Sequence, residues 1–148
     1  MLSILNIECS ETIPEIFIDI YQNNKLVTSN SFYKGVKKYT IEYNDTDAHT
    51  EQCIQVVMRG KTEEHTIIDE QGDIVYNVHA IVQQIILDEI DVTDLYVNGN
   101  PCYYHVGSNN NQNGPTLTDE FYGFIGLNGE VRIEFTTPMW YWFNSKCS

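Results

Sequence analysis

Residues 130–143, Glu-Val-Arg-Ile-Glu-Phe-Thr-Thr-Pro-Met-Trp-Tyr-Trp-Phe, decide how this chain is read. Val131, Ile133 and Phe135 alternate with Glu130, Arg132 and Glu134, the period of a strand with one buried face and one wet face. The same period recurs upstream. Ile16, Ile18 and Ile20 alternate with Phe17, Asp19 and Tyr21, and Tyr39, Ile41 and Tyr43 with Lys38, Thr40 and Glu42. Strands of this kind, spaced by polar turns, predict an all-β fold: an antiparallel, jelly-roll-like β-sandwich of about eight to ten strands with at most one turn of helix. The 148 residues suit a single domain spanning the whole chain, 1–148.

Working outward, Leu2–Glu8 reads as the first strand, and Glu15–Tyr21 and Lys25–Phe32 as a hairpin closed at Asn23-Asn24, because asparagine tolerates the left-handed backbone of a tight turn. Lys38–Tyr43 and Gln52–Met58 read as the next pair. His65–Asp69 is a strand, Glu70–Asp73 a turn, and Ile74–Leu87 a long strand, its β-branched residues arguing against helix. Val92–Leu95 fits one helical turn capped by Asp91 or Thr93. Gly107–Thr118 is a polar loop with almost nothing to bury, either solvated or used in recognition. Asn128-Gly129 reads as a primed hairpin turn joining Glu120–Leu127 to Glu130–Thr136. Read as extended, Trp140 and Trp142 share one face and Tyr141 and Phe143 the other, so one pair closes the core.

Charge narrows the function. Eight lysines and arginines against 21 acids give a net charge of −13, which argues against nucleic acid, whose phosphates need clustered cations. An acidic surface suits divalent cations or a basic partner. No signal-like leader and no apolar run of about 20 residues is present, so the chain is expected to be made in the cytoplasm with no membrane partner. Cys9, Cys53, Cys102 and Cys147 are scattered singly and read as reduced thiols, and Asn44-Asp45-Thr46 matches a glycosylation acceptor that matters only in a secreted protein.

The sequence offers little for catalysis. His49, His65, His79 and His105 lie in separate segments, none set beside a nucleophile in a known motif, so a non-enzyme is expected. For a metal, calcium prefers several oxygen ligands from one or two loops. Three clusters have the right side chains: Asp45 with Asp47; Asp69 with Glu70 and Asp73; and Asp88, Glu89, Asp91 and Asp94. Asp88, Asp91 and Asp94 are the best calcium candidates, though acidic turns in so acidic a chain are more often merely solvated. Trp140 and Trp142, with Tyr103 and Tyr104, are the candidates for contact with a ligand or partner, because flat rings stack on a sugar's apolar face or close a subunit contact.

Three stretches carry a resemblance: His65–Val75 (His-Thr-Ile-Ile-Asp-Glu-Gln-Gly-Asp-Ile-Val), Gln83–Leu95 (Gln-Gln-Ile-Ile-Leu-Asp-Glu-Ile-Asp-Val-Thr-Asp-Leu), and Gly126–Phe135 followed by Pro138–Phe143. An acidic hairpin turn, an "I-x-L-D-x-I-D-V" step and a late hairpin ending in aromatics resemble small proteins encoded by tailed phages of marine cyanobacteria. That resemblance implies a β-sandwich similar to calcium-dependent, xylan-binding-like carbohydrate-binding domains, and a place in the virion. It assigns no calcium-ligand pair residue by residue. On this footing the expected role is a non-enzymatic structural or accessory protein of a phage particle, touching other virion proteins or copies of itself. The alternative is a carbohydrate-binding module for a host surface glycan, and a polysaccharide-cleaving enzyme trails both.

Overall fold

The computed structural model describes residues 2–44, 49–105 and 116–147. In chain order the strands are β1 (Leu2–Cys9), β2 (Ile13–Gln22), β3 (Lys25–Phe32), β4 (Gly35–Glu42) and β5 (Thr50–Arg59). A 3-10 turn, Glu63–His65, precedes β6 (Thr66–Ile68), β7 (Ile74–Asn77), β8 (Ala80–Leu87) and β9 (Ile90–Asp91). Helix α1 (Thr93–Val97) leads to β10 (Asn100–His105), β11 (Leu117–Phe121), β12 (Phe124–Ile125) and β13 (Gly129–Thr137), and α2 (Met139–Cys147) follows.

These strands form a β-sandwich. The larger sheet runs β11-β10-β13-β5-β2-β3 and the smaller β12-β8-β1-β4, with β9 beside β8. The named strands pair antiparallel throughout. Alternation does what the sequence predicts: Leu5 and Ile7 of β1, Ile18 and Ile20 of β2, and Val131, Ile133 and Phe135 of β13 are buried in one apolar cluster between the sheets. Burial on this scale supplies the main driving force, since each fully buried aliphatic side chain contributes about 1.5–3 kcal/mol.

The structure corrects several local readings. β4 and β5 are not a pair: β4 lies on β1 in the smaller sheet and β5 between β13 and β2 in the larger. The run Ile74–Leu87 breaks after Asn77, so that β7 pairs with β6 in a separate hairpin while β8 enters the core beside β1. Asn128-Gly129 is no primed turn, since neither residue has a positive φ and the preceding β12 pairs with β8 in the other sheet. Instead the Asn128 amide accepts from the Lys61 N–H (3.0 Å) and donates to the Lys61 carbonyl (2.8 Å), as a neighbouring strand would. Gly129 is needed for closeness: a Cβ there would sit 2.5 Å from the Tyr104 carbonyl oxygen. The primed turns are at Asn23-Asn24 (φ 49° and 69°), as read, and at Asp88-Glu89 (φ 48° and 64°), between β8 and β9.

The largest correction falls on the aromatic block. Residues 139–147 are helical, so period two does not govern Trp140–Phe143. Met139 and Trp142 are three residues apart, share a helical face and are buried, with Phe143 half-buried beside them. Trp140 and Tyr141 are 64% and 53% exposed. Trp140 and Trp142 therefore do opposite things.

Candidate functional site

The register places a polar row on the outer face of the larger sheet. Tyr104 stands opposite Glu130, and across β13 and β5 Arg132 faces Gln55, Glu134 faces Cys53 and Thr136 faces Glu51. Residues directly opposite share a face, so the wet side of the alternation assembles these side chains as the dry side builds the core. At one end the Asn23-Asn24 turn, α1 and α2 rise around this row. They enclose an open groove of about 660 Å³ whose lining includes Asn24, Glu51, Tyr104, Arg132, Glu134 and Trp142, with Lys146 at its edge.

Part of this surface is locked. Gln55 accepts from the Asn24 N–H (2.8 Å) and donates to the Asn24 side chain (2.9 Å) and to Glu130 (2.5 Å). The Arg132 guanidinium lies 4.0 Å from the Tyr104 ring centroid and 3.3 Å from the Glu130 carboxylate. This cation–π contact holds the ring in place. Trp142 stacks on Tyr96 at 6.4 Å, and the Tyr96 hydroxyl donates to the Glu134 carbonyl (2.5 Å), so the indole forms a fixed wall. Burial pushes the Cys53 and Cys102 thiols up to about 11.

Another part is uncommitted. Among the described residues the side chains of Glu51, Glu134 and Lys146 and the Tyr104 hydroxyl hold no hydrogen bond or ion pair. Two carboxylates, an ammonium and a phenol thus surround aromatic surface in one groove, an arrangement that can grip a hydroxyl-rich ligand by stacking and hydrogen bonding together.

Of the four predicted contact residues, the structure brings Tyr104 and Trp142 to this groove and leaves two away from it. Tyr103 points into the core, its hydroxyl donating to the Leu127 carbonyl (2.6 Å) and accepting from the Leu127 N–H (3.1 Å). Trp140 sits on the outer side of α2. Sequence reasoning missed Glu51, Arg132, Glu134 and Lys146. The wet-face alternation flagged Arg132 and Glu134, but their company depends on which strand lies beside β13, which one sequence does not state.

The predicted calcium ligands lie elsewhere. Asp91 and Asp94 line a second open cleft, of about 840 Å³, on the smaller sheet with Asn6, Gln84 and Thr93. Asp88 sits in the β8–β9 turn and does not line it. The Asp91 carboxylate accepts from the Thr93 hydroxyl (2.5 Å), the Thr93 N–H (3.0 Å) and Gln84 (3.1 Å), bonds that hold it below the usual carboxylate range. Among the described residues no group of three or more His, Cys, Asp and Glu is gathered as a metal cluster. Asp69 spends its carboxylate on the Gln71 and Asp73 N–H groups. Asp45, Asp47 and most of the Gly107–Thr118 loop fall outside the described residues.

No protein-family model matches the chain, and no curated protein sequence matches it. Among solved structures it is similar to vCBM60, a carbohydrate-binding module, in complex with galactobiose: the TM-score is 0.50 at 14% identity, covering 89% of this chain and 96% of that one. At this identity the likeness concerns the fold.

Proposed function

We propose that this protein is a non-catalytic glycan-binding module that takes a short run of sugar residues in the groove over β10, β13 and β5. The observation carrying this reading is the pairing of a held aromatic ring, Tyr104 under Arg132, with the uncommitted side chains of Glu51, Glu134 and Lys146. A pyranose has one C–H-rich face and a rim of hydroxyls that both donate and accept, which matches such a lining. The groove volume falls within the roughly 300–1,000 Å³ of small-ligand sites. The fold shared with a carbohydrate-binding module is consistent with this use. Calorimetry with galactobiose first, then with a panel of neutral and acidic oligosaccharides, tests the reading. Binding that is lost in Tyr104→Ala supports it, and no heat from any member at millimolar concentration overturns it.

A second reading, a structural or accessory subunit of a tailed-phage particle, is favoured by the exposed rings of Trp140 and Tyr141, which meet edge to face at 5.9 Å on α2. Exposed aromatic surface of this kind marks contacts with other proteins. Co-sedimentation with assembled particles, lost in Trp140→Ser, is its expected result; absence from purified particles rules it out.

A further inference from the structure

The charges of this chain are sorted. Four of its eight basic residues, Lys25, Lys34, Lys37 and Lys38, fall within residues 25–38, a stretch without a single acid. Residues 62–75 are the reverse, with Glu63, Glu64, Asp69, Glu70 and Asp73 and no lysine or arginine. In space the basic stretch is β3 and β4, the edge strands of the larger and smaller sheets, joined by Tyr33 and Lys34. The acidic stretch is the β6–β7 hairpin, a two-stranded sheet that joins neither larger sheet.

Both regions expose apolar surface. Ile67, Ile68, Ile74 and Val75 of the hairpin are each more than half exposed, as are Leu26, Tyr33 and Val36 on the basic edge. A two-stranded hairpin is marginal in water unless something covers it. Lysines on edge strands often serve only to block strand addition. That role does not account for Tyr33 and Val36 standing bare among them, 77% and 56% exposed. The two regions share one end of the sandwich: Tyr76 of the hairpin donates to Glu11 (2.6 Å), and the Lys34 N–H donates to Thr12 (3.0 Å).

We propose that two copies of this chain form a closed dimer in which the acidic, apolar β6–β7 hairpin of each lies on the basic, apolar β3–β4 edge of the other. A two-fold axis makes both contacts at once, because each copy carries both halves of the match. Because the two-fold brings both patches of each copy into contact, the interface draws on both together toward the roughly 800 Å² per partner of a stable one. At −13 per copy, most other faces would set acid against acid. The dimer stands independently of glycan binding in the groove.

Sedimentation velocity across the micromolar range tests it. One variant carries Lys25→Glu, Lys34→Glu and Lys38→Glu, which turns the basic edge net acidic, and the other Glu64→Lys, Glu70→Lys and Asp73→Lys, which turns the hairpin net basic; none of these side chains makes a hydrogen bond within the described structure. The wild type is expected to be a dimer and each variant alone a monomer. An equimolar mixture of the two should dimerise again, because both contacts regain opposite charges. Independently of any variant, zero-length carbodiimide coupling of the wild type should join lysines of residues 25–38 to acids of residues 63–73 in the dimer band. A monomeric wild type, variants that dimerise like the wild type, a mixture that stays monomeric, or cross-links confined to other segments would each overturn the proposal.

Discussion

An open cleft on the outer face of the smaller sheet and the groove on the outer face of the larger differ in what their polar groups do. On the smaller sheet Asn6 donates to Gln84 (2.8 Å), Gln84 donates to Asp91, and Asp91 receives two bonds from Thr93, so most of the lining is tied into one chain and Asp94 alone of its carboxylates is left out. On the larger sheet Gln55 and Arg132 anchor the surface, while Glu51, Glu134, Lys146 and the Tyr104 hydroxyl stay uncommitted beside aromatic rings. Size therefore does not decide between them: the larger cleft is mostly bonded to itself, and the smaller groove, the proposed glycan site, keeps more of its polar groups uncommitted. A group already bonded to its neighbours must give up those bonds before it gains a ligand.

The sharpest break is Trp142→Ala. Removing a buried indole that packs on Tyr96 and Phe135 should cost about 3–5 kcal/mol in denaturant unfolding and take the groove wall with it. Truncating Val36, the one aliphatic residue in the other cleft's lining, should cost far less.

A buried charge away from both clefts sets the scale for pH effects. Lys61 is 5% exposed, its ammonium bonds to the side chain of Asn77 and to the Gly126 carbonyl (2.5 Å), and burial pushes it down to about 8. Between about pH 8 and 10.5 the unfolded chain then holds more protons than the folded one, so this group's contribution makes stability rise with pH across that window. The difference in unfolding free energy between wild type and Lys61→Met should show that slope, and a flat difference refutes it.

Tyr104→Ala separates the clefts by binding rather than stability. Glycan affinity should fall at least about tenfold, near 1.4 kcal/mol, with little change in melting temperature. Loss of affinity in Asp91→Ala instead would move the ligand to the smaller sheet.

The smallest effect belongs to Asp91→Asn. The folded carboxyl is held low by Thr93, so its stabilisation is present above the unfolded value near 3.8 and fades as pH falls through the lower folded one. On this exposed group the effect should stay under about 1 kcal/mol. Acid unfolding of the variant should lose that part of the pH dependence while glycan binding at neutral pH is unchanged.

Much of this frame was legible before the structure. Ile16, Ile18 and Ile20 announce a strand because period two reports directly which face is dry. The same period says nothing about which sheet a strand joins, so the sequence leaves the separation of β4 from β5 and the company of Glu134 and Glu51 unspecified. The aromatic block failed for another reason: with apolar residues at every position from 139 to 143, no period stands out, and only the packing of Met139 and Trp142 selects the helix. Asp88, Asp91 and Asp94 looked alike as acids. Backbone geometry divided them, since Asp88 serves a left-handed turn and Asp91 holds Thr93 in a local turn just before α1, whose N-cap is Val92 and not Asp91 or Thr93 as the sequence suggests.

The thiols of the groove floor give the fold a built-in clock. Thiolate is the form that alkylates and oxidises, and with Cys53 and Cys102 pushed up to about 11 and Cys9 raised as well, almost none exists at neutral pH in the closed protein. Cys9 and Cys102 are also covered. Cys9 faces the core, so its modification must wait for the sandwich to open and its labelling rate counts openings of the sheets, whereas labelling of Cys102 counts uncoverings of the groove floor and slows when a ligand sits over it.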